Sequence, residues 1–227
     1  MTDPRVIEDL YKMMNLVHEV LLKNDISYYA NGGTLLGAIR HKGIIPWDDD
    51  IDVEIGYKDI PKLLSKKVKE EFKKGGFYLK KHRENNEELN WVKLLGGYGG
   101  ASVDFFPVKF VKERKTGLWK TEFSSPYTQR IWKKYYFYLD ELLPLREVKF
   151  GSGKILIPNE PENYLNRGYG KDWDKVGYAY YDTKHEELDK PQKVKVTKFV
   201  SAKPHVKPKH DIKIDKMDPR LLLISSF

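Results

Sequence analysis

A chain of 227 residues can bury one substantial core, or a core plus an appendage. It contains no cysteine, which removes disulfides and thiolate chemistry, and seven of its eight excess positive charges fall between residues 190 and 220. No run approaches the roughly eighteen apolar residues of a membrane span, Met1-Thr2-Asp3-Pro4-Arg5 begins no apolar signal segment, and there is no internal repeat; a soluble, cytoplasmic protein is the default expectation.

Ile7, Leu10, Met14, Val17 and Leu21 recur at helical spacing and predict an amphipathic helix over residues 4–23 that packs on a sheet. Residues 27–30 read as a short strand leading into Asn31-Gly32-Gly33-Thr34, and residues 35–40 have helix-compatible apolar spacing. Strand, Gly-Gly and helix in that order present backbone N–H groups and the positive end of a helix to an anion. Thr34 either caps the helix or bonds a phosphate oxygen. Arg40, His41 and Lys42 follow, either solvated or reaching a substrate phosphate; Arg40 suits that role best because its fork matches phosphate oxygens.

The acidic stretch Asp48-Asp49-Asp50-Ile51-Asp52-Val53-Glu54-Ile55 comes next. From Ile51 it alternates apolar and acidic side chains, the pattern of a half-buried strand in which residues two apart share a face. Asp50 and Asp52 then point the same way. Two hard oxygen ligands side by side repel unless a cation lies between them, and Mg²⁺ or Mn²⁺ fits carboxylate, water and phosphate oxygens. Asp48 shares the register and is either a further ligand or an anchor for one. Asp49 falls on the other face, and Glu54 lies one step farther along. A solvated turn or calcium loop explains the run less well, because apolar residues flank it and the calcium-loop glycine and terminal glutamate are missing.

Residues 59–74 read as a helix stopped by Gly75-Gly76, residues 77–82 as a strand, 84–90 as polar loop and 91–95 as another strand. The run Gly96-Gly97-Tyr98-Gly99-Gly100 turns the chain back, so the strand 101–108 lies antiparallel to 91–95. That strand carries one charge, Asp104, amid apolar neighbours. A buried aspartate without a partner is costly. A neighbouring strand that brought Asp104 beside Asp50 and Asp52 would explain it; pairing with a basic residue or capping a turn is the alternative. Lys93, across the hairpin, is a candidate phosphate contact.

Residues 118–123 read as an edge strand and 127–143 as an aromatic-rich helix with Ile131, Tyr135, Tyr138 and Leu142 along its core face. Trp132 or Tyr136, outside that stripe, could stack on a pyranose. Residues 148–157, centred on Gly151-Ser152-Gly153, read as a β-hairpin. From 190 to 220 there are ten Lys/Arg against three Asp/Glu, with Pro191, Pro204, Pro208 and Pro219 and little periodicity, the composition of an extended basic arm. Such an arm either solubilises or holds an anionic partner. His205 and His210 are too isolated for a metal site, and the apolar end 221–224 could dock on the body or a partner. The chain thus divides into a main domain over 1–188, which carries the clustered carboxylates, and a Pro/Lys-rich extension over 189–227.

Gly-Gly after a strand, Asp-x-Asp on the next strand and a further Asp later resembles the nucleotidyltransferase fold shared with DNA polymerase β. The wording from Gly32 to Gly37, then Arg40-His41 to Ile45-Pro46-Trp47-Asp48-Asp49-Asp50-Ile51-Asp52-Val53, resembles the LicD family, to which fukutin and fukutin-related protein also belong. The resemblance continues at Val103-Asp104-Phe105-Phe106-Pro107-Val108 and at Tyr164-Leu165 through Tyr169-Gly170-Lys171-Asp172-Trp173, covering roughly residues 25–175. It implies an α+β fold with a nucleotidyltransferase-like mixed β-sheet and flanking helices. It also implies transfer of a phospho-alcohol, such as phosphocholine or ribitol phosphate, from a CDP-linked donor to a glycan hydroxyl, with metal help from two ions and release of CMP. Carried over by residue, it assigns metal binding to Asp50, Asp52 and Asp104, an acidic role to Asp48, and donor phosphates to Gly32, Gly33 and Thr34. Tyr164, Tyr169 and Trp173 would buttress the site or line the donor pocket. The departures are the missing membrane anchor of the animal relatives and the missing cysteines for a zinc site.

Two other functions fit the same residues less closely. One is nucleotidyl transfer from an NTP to a sugar, antibiotic or nucleic-acid acceptor, with pyrophosphate released. The other is a non-catalytic nucleic-acid or glycan-binding module that uses the basic arm.

Overall fold

The spacing of Ile7, Leu10, Met14, Val17 and Leu21 forms the twenty-residue helix α1 (Pro4–Lys23), opened by Asp3, whose carboxylate accepts from the Arg5 N–H, and by Pro4 in the first turn. The computed structural model describes residues 1–83, 89–181, 187–195 and 199–204 and lays α1 against a mixed six-stranded sheet. Along the chain follow β1 (Tyr28–Ala30), α2 (Gly32–Leu36), a π-helical turn over Gly37–His41, β2 (Asp50–Gly56), α3 (Ile60–Leu63) and α4 (Lys66–Lys74). Then come β3 (Tyr78–His82), β4 (Trp91–Leu95), the long β5 (Ser102–Lys112), β6 (Trp119–Phe123), α5 (Pro126–Ile131) and α6 (Leu139–Leu142). The hairpin of β7 (Arg146–Phe150) and β8 (Gly153–Ile157), helix α7 (Glu162–Tyr169), and the hairpin of β9 (Val176–Tyr181) and β10 (Glu187–Lys195) complete it. Among the described residues no helix is long and apolar enough to cross a membrane.

The strand order is β1-β2-β5-β4-β3, with β6 on the distal half of β5; β2 and β5 are parallel and the other pairs antiparallel. One face buries Ile51, Val53, Val92, Leu94, Val103 and Phe105 under α1 and α4, with the Phe72 ring of α4 at 6.5 Å from that of Phe105. The other face is covered only in part. Tyr29 meets Phe137 edge-on at 5.7 Å, Phe137 stacks on Tyr164 of α7 at 4.2 Å, and Trp132 closes on Phe106 at 5.3 Å. The expected sheet, first helix, Gly-rich turn and both early hairpin strands are present, and β6 pairs along β5 as an outlying strand.

Three expectations are corrected. The helix over 59–74 is interrupted, because the Ser65 side chain accepts from the Val68 N–H and starts α4 anew after the short α3. The helix over 127–143 does not form as one piece: α5 stops at the 49% exposed Ile131, and Phe137 is drawn into extended pairing with β6. There the Thr121 N–H donates to the Phe137 carbonyl and the Phe137 N–H donates to Thr121 Oγ1, both at 2.9 Å. Long-range backbone bonds override the helical spacing of the aromatic run. Part of the stretch expected to be an extended basic arm is instead tied down: β10 pairs with β9, and Ala202 is buried with its N–H donating to the Ile44 carbonyl at 2.8 Å, while residues 205–227 lie outside the described residues. An open strand edge satisfies backbone groups whatever the composition. His205, His210, the apolar end 221–224 and most of the 84–90 loop lie outside the described residues.

Thr121→Val keeps the shape but leaves the buried Phe137 N–H without its acceptor. Urea denaturation should show a loss of about 1–3 kcal/mol; an unchanged midpoint would mean this bond does not hold the break between α5 and α6.

Candidate active site

Parallel pairing of β2 with β5 sets Asp50 opposite Ser102 and Asp52 opposite Asp104, and antiparallel pairing sets Lys93 of β4 opposite Asp104. Partners in register project to the same face. The three aspartates chosen from sequence therefore meet on the partly covered face. Asp104 is 4% exposed; its Oδ2 lies 2.9 Å from Lys93 Nζ, and its Oδ1 is buried with no hydrogen-bond partner. Lys93 thus contacts a site carboxylate. Both readings of Asp104 hold at once: it is paired with a basic residue and it faces the other acids.

The glycine turn abuts the same cluster. The Asn31 N–H donates to the Asp52 carbonyl at 3.1 Å and the Asp52 N–H donates to Thr34 Oγ1 at 2.8 Å, which pins α2 to β2. Gly32 has φ +52°, and a Cβ there would stand 3.3 Å from Asp52 Oδ2; a Cβ on Gly33 would stand 2.8 Å from Asp48 Oδ2. The positive φ at Gly32 favours glycine, and a side chain at either position would crowd a site carboxylate, Asp52 from Gly32 and Asp48 from Gly33. The two glycines sit inside the first turn of α2, not in a loop before it. Thr34 spends its oxygen on strand backbone, and the Gly32 N–H donates to Tyr164 Oη at 2.9 Å.

Burial pushes all these acids up, and repulsion from neighbouring aspartates adds to it for Asp48, Asp50 and Asp52. Asp48 rises to about 7 and Asp50 to about 6, Asp52 lies well above the usual carboxylate range, and Asp104 is also raised, with Lys93 opposing the shift. Asp48, Asp49 and Asp50 each offer an oxygen within 4.8 Å of the others'. Asp49 thereby joins the cluster despite the face assigned to it from sequence. The alternation that excluded it applies only within β2, which begins at Asp50. An unpartnered buried Asp104 oxygen and carboxylates raised by each other are the donor set a hard divalent cation fits.

Glu54 had no assigned role. It is fully buried in β2, accepts from Tyr29 Oη at 2.5 Å and is pushed up to about 8 by burial. The two-residue alternation places it on the Asp52 face, but only the covering layer of Phe137 and Tyr164 makes it a core residue.

An open cavity of about 120 Å³ lies between Gly32, Gly33 and Asp52 on one side and Phe106, Phe123, Trp132, Tyr135 and Tyr169 on the other. Tyr169 and Trp132 thus line the site. Tyr164 lies beneath it as a buttress, its hydroxyl donating to Asn31 Oδ1. Tyr136 instead lies over Arg167 and Lys120. Trp173 donates from Nε1 to Asn166 and offers its carbonyl to Arg40. Phe106, Phe123 and Tyr135 carried no functional signal, since each reads as core.

Arg40 does not present a free fork to phosphate. Its Nη1 donates to the Trp173 and Val176 carbonyls at 2.6 and 2.8 Å, and its Nε donates to His41 Nε2 at 3.1 Å. His41 Nδ1 donates to the Val200 carbonyl at 2.8 Å, and Lys42 Nζ to the Ile39 carbonyl at 2.9 Å. Arg40 and His41 tie the π-helical turn to the later chain.

Residues 25–160 match the family described as LicD/FKTN/FKRP, nucleotidyltransferase domain. An uncharacterized protein of Rickettsia typhi is 32% identical over 199 residues, covering 88% of this chain and 57% of the relative. The lipopolysaccharide cholinephosphotransferase LicD of Haemophilus influenzae is 58% identical over 41 residues, 18% of this chain and 16% of that one. The ribitol-5-phosphate transferase FKTN of Mus musculus is 27% identical over 174 residues, 76% of this chain and 34% of that one. The chain spans little more than half the length of the Rickettsia relative and a smaller share of the other two.

Unfolded, the aspartates titrate near ~3.9. Asp48 and Asp50 titrate at about 7 and 6 in the fold, so across that window the folded state holds more protons and stability falls as pH rises. The melting temperature in EDTA should therefore be lower at pH 8 than at pH 5, and Mn²⁺ should raise it more at pH 8. A Mn²⁺ effect equal at both pH values would refute a cation held by these carboxylates. Gly33→Ala, which crowds Asp48, should shrink the Mn²⁺ effect while leaving the pH 5 melting temperature nearly unchanged.

Proposed function

This chain belongs to the LicD/FKTN/FKRP family, and on that premise we propose that it transfers a phospho-alcohol, of the phosphocholine or ribitol-phosphate kind, from a CDP-linked donor to a sugar hydroxyl of a glycan. The observation that carries this reading is the register that sets Asp52 beside Asp104, with Gly32 against Asp52 and Gly33 against Asp48. Named relatives that move phosphocholine or ribitol phosphate support the class of group transferred.

The acceptor hydroxyl attacks the phosphorus that bears the alcohol, a new P–O bond forms, and the bond to CMP breaks. Asp104 or an acidic neighbour takes the hydroxyl proton. Asp48, Asp50, Asp52 and Asp104 would hold Mg²⁺ or Mn²⁺, with Asp50 common to the Asp48-Asp49-Asp50 group and to its strand neighbours. Such cations, when bound, offset charge on the phosphoryl oxygens and on the leaving group. Lys93 steadies Asp104 through one oxygen and leaves the other available. Gly32 and Gly33 let the donor approach the carboxylates without side-chain interference, and the aromatic side chains from Phe106 to Tyr169 wall the other side of the cavity.

³¹P NMR with Mn²⁺, a panel of CDP-alcohols and NTPs, and mixed sugars should show CMP and a new phosphodiester. Asp50→Asn and Asp52→Asn should each lower turnover by at least about a hundredfold, the scale of removing a charge-stabilising group, with unchanged circular dichroism. Release of pyrophosphate would reassign the chain to nucleotidyl transfer, and substantial activity in both variants would sink the assignment of these carboxylates.

A further inference from the structure

The row of side chains that holds Asp52 and Asp104 does not end at Lys93. Lys93 of β4 pairs in turn with Lys80 of the edge strand β3, so Asp52, Asp104, Lys93 and Lys80 stand on one face across four strands. Beside them, Asp50 pairs with Ser102 and Leu95 with Tyr78 on the same face. The covering aromatic layer reaches Trp91, whose ring stacks on His82 at 4.0 Å, and goes no farther along β3. Tyr78 is 56% exposed, Lys80 is exposed with no carboxylate partner among the described residues, and the Lys93 side chain is 29% exposed. The opposite face of these strands is closed by α1 and α4.

Position gives this open strip its meaning. The Gly32-Gly33 backbone meets the carboxylates from the β1 side of the sheet, and β4 and β3 leave them on the other side. In an in-line displacement the attacking oxygen and the leaving group lie on opposite sides of the phosphorus. A donor seated at the glycines therefore receives its acceptor from the β4–β3 side. The chemistry of the strip is cationic with one exposed ring: a tyrosine face suits the C–H side of a pyranose, and lysines suit its acidic substituents.

We propose that the open face of β3 and β4 is the acceptor site, and that it takes an anionic glycan, a sugar chain carrying phosphate or carboxylate groups. Tyr78 stacks on a ring and Lys80 pairs with an acidic substituent near the sugar that presents its hydroxyl to Asp104. This assignment rests on the phospho-alcohol transferase reading for the identity of the two substrates, but binding can be read without turnover.

The test uses the full chain and a fluorescein-labelled phosphomannan oligosaccharide, with neutral mannan of equal length, followed by fluorescence anisotropy at low salt. Phosphomannan should bind more tightly than mannan, and Lys80→Glu and Tyr78→Ala should each weaken it roughly five- to tenfold, the scale of a partly exposed contact. Lys69→Glu, the same charge change on the exposed side of α4 behind the sheet, should leave binding nearly unchanged. Equal losses in Lys69→Glu and Lys80→Glu would reduce the effect to general attraction by a basic protein and overturn the proposal. So would a single-stranded DNA oligonucleotide binding as tightly with the same dependence on Lys80. CMP release from CDP-alcohols, run in parallel, separates the two readings. Lys80-dependent phosphomannan binding without CMP release upholds the surface and removes the transferase assignment, whereas CMP release with binding indifferent to Lys80 and Tyr78 removes the surface alone.

Discussion

Ile51, Val53, Val103 and Phe105 are buried against α1 and α4, and strand side chains alternate, so their burial drives Asp50, Asp52 and Asp104 to the opposite face of two adjacent parallel strands. A slip of one residue would put the aspartates into the core, which fixes the register on hydrophobic grounds alone. The consequence is electrostatic. Like charges are held at strand spacing with little water, and Asp48, Asp50, Asp52 and Asp104 are all raised. The apolar face thus stabilises the fold while imposing on the other face a repulsion that a bound cation would relieve.

The surrounding elements keep that cluster from relaxing. Thr34 and Asn31 hold α2 to the backbone of Asp52, Tyr164 braces Asn31 and Gly32 from below, and Phe137 stacks on Tyr164. Arg40 and His41 extend the bracing to Trp173, Val176 and Val200, so segments far along the chain steady the turn that follows α2. Residues with the chemistry to touch phosphate serve here as ties, because buried carbonyls need donors and a guanidinium supplies several in a fixed fork.

Much of the site was legible because its signals are local or repeated. Alternation predicted the shared face of Asp50 and Asp52, and a lone charge in an apolar strand marked Asp104. The roles of Arg40, Thr34 and Glu54 were not legible, since each depends on a partner distant in sequence or on a covering layer: Val176 for Arg40, the Asp52 backbone for Thr34, and Tyr29 beneath Phe137 for Glu54. The broken helix near Trp132 failed for the same reason. Its aromatic spacing is helical, but Thr121 offers the backbone a better set of hydrogen bonds.

What the sequence by itself determined is the set of groups on offer: closely spaced carboxylates on a strand, a Gly-Gly pair where a helix starts, and motifs shared with one family. These depend on residue type and short spacing, which a chain displays directly. Only the tertiary structure decided which acids meet, that Lys93 steadies Asp104, and that the row runs on to Lys80 at an open edge. Cross-strand register joins residues whose separation along the chain carries no periodic signal, and burial on the far face selects that register.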